Sequence, residues 1–277
     1  MKLLYIAEIV AQCGIWSLKN CLPRLKLLYK ADYIIANANS ASGAGGLSRQ
    51  HAGYLRKLGV KCLTLGDNAF IIPQIFENNV LNYCIRPFNL SVQAPGIGYK
   101  AFYGNTAKTA AGAADRNTEA PKLVVLSLLG QYGRHRISAN APLDAVDFIV
   151  RKFPDSAIFI DYASFSTGEK QILKYYADGK VSALIGSGSK VATADAQISE
   201  NGTAYITDAG RSGASLSAGG YEAENKIREF KTGLTEYAAC SWDDAQVQGI
   251  FLEIDEHNKA LRIERIREKC RSDAIKD

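Results

Sequence analysis

The sequence predicts an α/β fold. Short apolar runs alternate with stretches of helical periodicity through most of the chain, and loops rich in Gly, Ser and Asn follow several of those runs. The chain closes with two alternating runs around Glu256-His257-Asn258, the pattern of a terminal β-hairpin.

Residues 2–7 read as a first buried strand, after which Ile15, Leu18, Leu22, Leu25 and Leu28 recur at helical spacing, with Pro23 expected to bend or divide the helix. Residues 32–38 form the second strand. A loop over 39–46 opens a helix running to about Leu58, and 60–65 is a third strand ending in Gly66-Asp67-Asn68. A short helix at 73–76 and strands at 81–85, 98–103 and 122–128 follow, with 104–121 as an exposed, mobile excursion rich in Ala, Thr, Asn and Gly. A helix over 143–153, a strand over 156–162, a helix over 168–177 and a strand over 181–185 continue the alternation. Asn201-Gly202 marks a turn, 203–207 is a strand, 221–231 a helix, and 246–254 with 260–266 make the hairpin. No repeat recurs at a fixed period.

Composition narrows the function classes. With 47% apolar and 22% charged residues over 277 positions, the chain can bury a full core. A net charge of +5 with acids and bases interspersed gives no nucleic-acid footprint, and the basic run 262–276 carries enough acids to read as a solvated tail. The opening apolar stretch, cut short by Glu8, is too brief for a signal peptide, and no run reaches membrane-spanning length. The six cysteines, at 13, 21, 62, 84, 240 and 270, are scattered and read as reduced thiols of a cytoplasmic chain.

Ligands in α/β sheets bind where strands end, so the stretch Ile185-Gly186-Ser187-Gly188-Ser189-Lys190, leaving a buried strand, is a natural place for chemistry. Its one strong group is Lys190. The other strand ends contribute Glu8, Asn37, Asn39, Asp67, Asn68, Asp161 and Asp208, oxygen donors suited to a hard cation, although Lys190 would repel one. His51, His135 and His257 fall within a helix pattern, between two arginines and at the hairpin tip, so a Ser-His-Asp or Cys-His arrangement has no good base. The loop Gly43-Ala44-Gly45-Gly46-Leu47-Ser48 fails the dinucleotide fingerprint at Ser48.

Several stretches taken in order carry a resemblance to a family: Ile35-Ala36-Asn37, Thr64-Leu65-Gly66, Arg86-Pro87, Pro95-Gly96-Ile97-Gly98-Tyr99, Asp178-Gly179-Lys180-Val181-Ser182-Ala183, Thr193-Ala194-Asp195, Asn201-Gly202-Thr203-Ala204-Tyr205-Ile206-Thr207-Asp208 and Leu252-Glu253-Ile254-Asp255. The chain resembles the YmdB-like branch of the calcineurin-type metallophosphoesterases over nearly its whole length. That resemblance implies a four-layer α/β/β/α metallophosphoesterase sandwich with a C-terminal β-hairpin. It implies one domain over 1–277, with the insertion at 104–121 and a polar tail at 267–277. It further implies dinuclear phosphodiesterase chemistry on small phosphoesters, including 2′,3′-cyclic nucleotides.

The departures fall on the ligands that the resemblance implies. The family's Gly-Asp-Ile-Val-Gly stands as Ala7-Glu8-Ile9-Val10-Ala11, and Asn-Gly-Glu-Asn stands as Asn37-Ala38-Asn39-Ser40, so the bridging carboxylate becomes Asn39. Gly-Asn-His is Gly66-Asp67-Asn68. The histidine of Asp-Phe-His-Ala-Glu is Ala163, and Gly-Thr-His-Thr-His is Gly186-Ser187-Gly188-Ser189-Lys190. The vestigial metal positions are thus Glu8, Asn39, Ser40, Asp67, Asn68, Ala163, Gly188 and Lys190, and Lys190, Ser187 and Ser189 are candidate anion contacts. Two metals need donors that these residues do not supply.

The expectation drawn from this is a catalytically inactive homologue, a pseudoenzyme with a binding, regulatory or scaffolding role, no catalytic residues, no metal and no cofactor. Its partner would be an unknown protein or a small phosphorylated ligand, with neither nucleic acid nor membrane. Lys190 is expected to fill a metal's place and pair with Glu8 or Asp67. The alternative is a phosphodiesterase with one Mg or Mn on Glu8, Asp67 and Asn39. A third reading is a structural protein that assembles as a homo-oligomer or filament.

Overall fold

The computed structural model describes residues 1–43, 45–79, 81–104, 120–133, 137–235 and 238–270. The strands are β1 (Lys2–Ile6), β2 (Glu8–Ile9), β3 (Tyr33–Asn37), β4 (Cys62–Thr64), β5 (Cys84–Ile85), β6 (Tyr99–Phe102), β7 (Leu123–Leu129), β8 (Ala157–Ala163), β9 (Ala183–Ser187), β10 (Gln197–Ile198), β11 (Ala204–Ile206), β12 (Arg211–Ala214), β13 (Ala245–Ile254) and β14 (Ala260–Lys269). The α-helices are α1 (Ala11–Tyr29), α2 (Arg49–Lys57), α3 (Pro142–Lys152), α4 (Thr167–Ala177) and α5 (Ala223–Thr232).

These strands make two sheets. One runs β2-β12-β13-β1-β3-β4-β5, with β14 on the far side of β13, and the other runs β10-β11-β9-β8-β7-β6. β1, β3, β4 and β5 are parallel, as are β7, β8, β9 and β11, while β13 runs antiparallel to β1 and β14. Parallel strands joined through helices must bury both faces, which is why they appear in sequence as largely apolar runs.

The period of two along each strand sorts its side chains between layers. Leu3, Tyr5 and Ala7 point inward with Ile35, Val125, Phe159 and Ile185 to form the core between the sheets. Leu4 and Ile6 point outward, onto Leu18, Leu22 and Leu25 of α1 and Ala52 and Leu55 of α2. Leu126, Ile158 and Ile160 of the second sheet pack on Val146 and Ile149 of α3 and Leu173 of α4. The result is the expected α/β/β/α sandwich with its C-terminal hairpin. Each fully buried leucine contributes about 1.5–3 kcal/mol to holding the layers together.

Several local expectations need correction. α1 continues through Pro23 as one helix; Pro23 and Lys19, whose carbonyl loses its partner, are both exposed, so that carbonyl is not stranded in the core. The segment at 73–79 is a 3-10 helix, and the strand at 81–85 shrinks to two residues. β14 extends to Lys269, so residues 262–269 are strand and not tail: every second residue can stay solvated while the backbone pairs with β13. Residues 271–277 and 105–119 lie outside the described residues, and the expected mobile excursion falls mostly there. β2, β10 and β12 are too short and too polar to stand out in sequence, and only pairing with their neighbours makes them strands. Among the described residues no helix is long and apolar enough to cross a membrane.

Candidate active site

The carboxyl ends of β3, β4, β8 and β9, together with β2, converge on one crevice of ≈ 200 Å³. Its lining includes Glu8, Asn37, Asn39, Asp67, Asn68, Ala163, Ser187, Gly188 and Lys190. The structure therefore brings together most of the residues picked out by their places at strand ends.

Beneath the floor lies Asp161, which is buried and accepts hydrogen bonds from Ser187 Oγ at 2.6 Å, Asn37 Nδ2 at 3.0 Å and the Thr64 hydroxyl. Burial raises its pKa, and the hydroxyls of Ser187 and Thr64 pull it back down. One acceptor thus joins β3, β4, β8 and β9 and aligns their ends. The carbonyl side of Asn37 faces the other way, accepting from the backbone N–H of Asn39 at 3.0 Å.

Asn39 is fixed from both ends of its amide. Its Oδ1 accepts from the backbone N–H of Gly66 at 2.8 Å and Asn68 at 3.0 Å, and its Nδ2 donates to Asp67 Oδ1 at 2.9 Å. Two backbone donors settle which end is oxygen. Asn39 therefore orients Asp67, and its oxygen is not available as a metal ligand.

Glu8 is almost fully buried. Ser40 Oγ donates to its Oε1 at 2.5 Å, and the Lys190 ammonium stands 3.5 Å from the same oxygen and 3.3 Å from Ser40 Oγ. Burial pushes the Glu8 pKa up, while Lys190 and the Ser40 hydroxyl oppose it. Of the two carboxylates expected to attract Lys190, the structure selects Glu8.

The loop that carries Lys190 is built for close approach. A Cβ on Gly186 would lie 1.9 Å from the Thr207 carbonyl oxygen, so β11 can pass only a glycine there. Gly188 (φ 106°) and Lys190 (φ 61°) both take left-handed backbone, which costs a non-glycine residue about 1–2 kcal/mol. Two anchors hold the turn. Arg211 donates to the Lys190 carbonyl at 2.8 Å, and Asp208 accepts from the Ser189 N–H at 2.8 Å while paired at 3.1 Å with the wholly buried Lys170.

Ser189 itself is exposed and does not line the crevice, and Asp208 supports the loop from below. Ser40 acts on Glu8, and Ala163 leaves the crevice wall without a donor. Lys170, Arg211, Ser164 and Phe165 were missed in the sequence. Lys170 and Arg211 sit among ordinary surface-type patterns, and nothing local marks them as partners of this loop. His51 lies away from the crevice with its Nδ1 2.8 Å from Ser42 Oγ, and burial lowers its pKa; His257 is exposed, and His135 lies outside the described residues.

The family described as YmdB-like protein matches residues 4–266. The chain belongs to that family. A 2′,3′-cyclic-nucleotide 2′-phosphodiesterase of Bacillus subtilis (strain 168) is 30% identical over 275 residues, covering 96% of both chains. A putative phosphatase/phosphodiesterase of Mycoplasma pneumoniae is 28% identical over 275 residues, covering 96% of this chain and 92% of that protein. The crystal structure of a phosphatase from Mycoplasma pneumoniae superposes with a TM-score of 0.86 at 27% identity, over 100% of this chain and 96% of that one.

The expectation of a catalytically inactive YmdB-like homologue is corrected by these matches. The relatives that align end to end are named as phosphodiesterase and phosphatase, and the crevice of this chain is lined by two carboxylates, Glu8 and Asp67. The departures from the motifs that the resemblance implies concern the ligand set and do not establish inactivity.

A metal pair does not fit this YmdB-like crevice: Asn39 oxygen is taken, Ala163 and Gly188 offer no donor, and among the described residues no cluster of three His, Cys, Asp or Glu side chains is placed to hold an ion. A single hard cation asks for less, since magnesium is commonly held by one or two carboxylates with water and phosphate completing its shell. Glu8 and Asp67 are the carboxylates that line the crevice.

Proposed function

We propose that this protein is a phosphodiesterase acting on small phosphoesters, including cyclic nucleotides, with one magnesium or manganese ion. The observation that carries the reading is the end-to-end match to a 2′,3′-cyclic-nucleotide 2′-phosphodiesterase, in a chain whose strand ends form one polar crevice. Asp67, oriented by Asn39, and Glu8 would hold the ion. Once bound, such an ion polarises a phosphoryl oxygen and lowers the pKa of a coordinated water.

The chain's own groups have distinct parts. Lys190 supplies a positive charge at the crevice wall that draws a phosphate anion, and its pairing with Glu8 and Ser40 fixes where that charge stands. Asn39 keeps one oxygen of Asp67 engaged, leaving the other directed by that bond. Asp161 and its hydroxyl donors keep the strand ends in register beneath the substrate.

Hydrolysis of bis(p-nitrophenyl) phosphate and of a 2′,3′-cyclic nucleotide, with and without added manganese or magnesium, tests the reading. Metal-dependent turnover that disappears in Asp67→Ala is the expected result. No turnover with either ion, or turnover unaffected by Asp67→Ala, would refute it.

A further inference from the structure

The sulfur atoms around α1 have no part in the proposed hydrolysis. Cys13 and Cys21 are eight residues apart, just over two helical turns, so they share one face of α1 with Ser17 between them. The open end of the β13–β14 hairpin packs on that face. Cys270 directly follows β14, donates its N–H to the Ala245 carbonyl at 2.9 Å, and places its Sγ 3.0 Å from Cys21 Sγ. Cys240, just ahead of β13, packs with Trp16 and Cys270 against the buried cluster of Cys13, Ala214 and Ala245.

The two members of each pair differ in access. Cys13 is wholly buried and Cys21 nearly so, whereas Cys240 and Cys270 are half-buried. Cys240 lines a cavity of ≈ 330 Å³ with Gln12, His51, Tyr221 and Trp242. The Cys13 thiol and the backbone N–H groups of Cys13 and Gln12, at the start of α1, hold the Cys240 thiol below its ordinary range, and the Cys21 thiol does the same for Cys270. Each pair therefore sets a half-buried sulfur, within reach of solvent, against a buried thiol.

We propose that α1 carries two oxidisable dithiols, Cys240 with Cys13 and Cys270 with Cys21, which a hydroperoxide closes into disulfides that tie the helix to the open end of the hairpin. In the first step the half-buried thiolate of Cys240 or Cys270 attacks a peroxide oxygen. The S–O bond forms, the O–O bond breaks, and the departing alkoxide or hydroxide takes a proton from water. In the second step the buried thiol gives up its proton and its sulfur attacks the sulfenic acid; the S–S bond forms, the S–O bond breaks, and hydroxide leaves with that proton as water. The two links would fasten α1, whose first N–H bonds the Ser40 carbonyl beside Glu8, to the segment before β13 and the end of β14.

Of six cysteines, four belong to these pairs, and Cys62 and Cys84 are buried elsewhere in the sheet. The full-length protein is treated with hydrogen peroxide, its free thiols are alkylated after unfolding, and its peptides are mapped by mass spectrometry without reductant. Cys13–Cys240 and Cys21–Cys270 peptides are expected, Cys62 and Cys84 remain alkylated, and dithiothreitol restores every thiol. The oxidised protein should unfold about 5–10 °C higher than the reduced one. Absence of either link overturns the assignment of that pair, as does oxidation that stops at sulfinic acid or joins two chains. Cys240→Ser should remove the first link and leave the second.

Discussion

Replacing Lys190 separates the charge it contributes from the backbone it strains. At 3.5 Å, and with an effective dielectric of about 20, the attraction between its ammonium and the Glu8 carboxylate is about 4–5 kcal/mol. Partial desolvation of the lysine, whose side chain is 26% exposed, and about 2 kcal/mol of rotamer entropy offset much of that. A net loss of about 1–3 kcal/mol is expected in Lys190→Ala at pH 7, because Glu8 stays buried with only Ser40 as a donor.

The pH dependence follows from the direction of the Glu8 shift. Its folded pKa is raised above 4.5, so its contribution to stability is fully present below about pH 4.5 and is lost as pH rises through the folded value. Removing Lys190 raises that value further and extends the loss to higher pH. Each additional unit costs about 1.4 kcal/mol at a pH above both values. The gap between wild type and Lys190→Ala should therefore narrow as pH falls toward 4.

Lys190→Gly loses the same charge but fits a φ of 61°, so it should be more stable than Lys190→Ala by about 1 kcal/mol. Urea unfolding of the three proteins across pH 4–8 reads all of these differences. Equal stability of wild type and Lys190→Ala at neutral pH, or a gap that does not change with pH, would refute the pairing as the source of the effect.

Other perturbations probe the framework around the crevice. Gly186→Ala forces a Cβ against the Thr207 carbonyl and should destabilise by roughly 3 kcal/mol or more, measured by urea unfolding. Lys170→Met leaves Asp208 buried without its cation and should cost about 3–5 kcal/mol, with the loop at 188–190 losing amide-exchange protection. Asp195, bonded by the hydroxyls of Thr193 and Thr207 and held below the ordinary carboxylate range, contributes stability above about pH 3.8 that is lost as pH falls through its folded value. Asp195→Asn should thus cost about 1 kcal/mol at neutral pH, with the difference shrinking as the solution is acidified.

Much of this molecule was legible one residue at a time. Apolar runs such as Leu123–Leu129 and Ala157–Ala163, each interrupted by one polar residue (Ser127 and Asp161), announce strands buried on both faces, and the leucine spacing of α1 announces its inner face. These are local consequences of periodicity, and the structure keeps them. Placement at strand ends likewise pointed to Glu8, Asn39, Asp67 and Lys190, because parallel strands deliver their loops to one side of a sheet.

Only the tertiary structure decided how those residues are used. β12 reads Arg-Ser-Gly-Ala and has no strand pattern; it exists because β2 and β13 offer it hydrogen bonds. Asn39 could have faced the crevice as a ligand, yet two backbone N–H groups from a loop 27 and 29 residues away claim its oxygen. The sequence also left open whether Lys190 would meet Glu8 or Asp67. The choice depends on Arg211 and the buried Lys170–Asp208 pair holding the turn in left-handed backbone, and such contacts arise only once distant strands have docked. Periodicity is a local property of the chain and survives in its spelling, whereas hydrogen-bond partners and burial are set by packing across it.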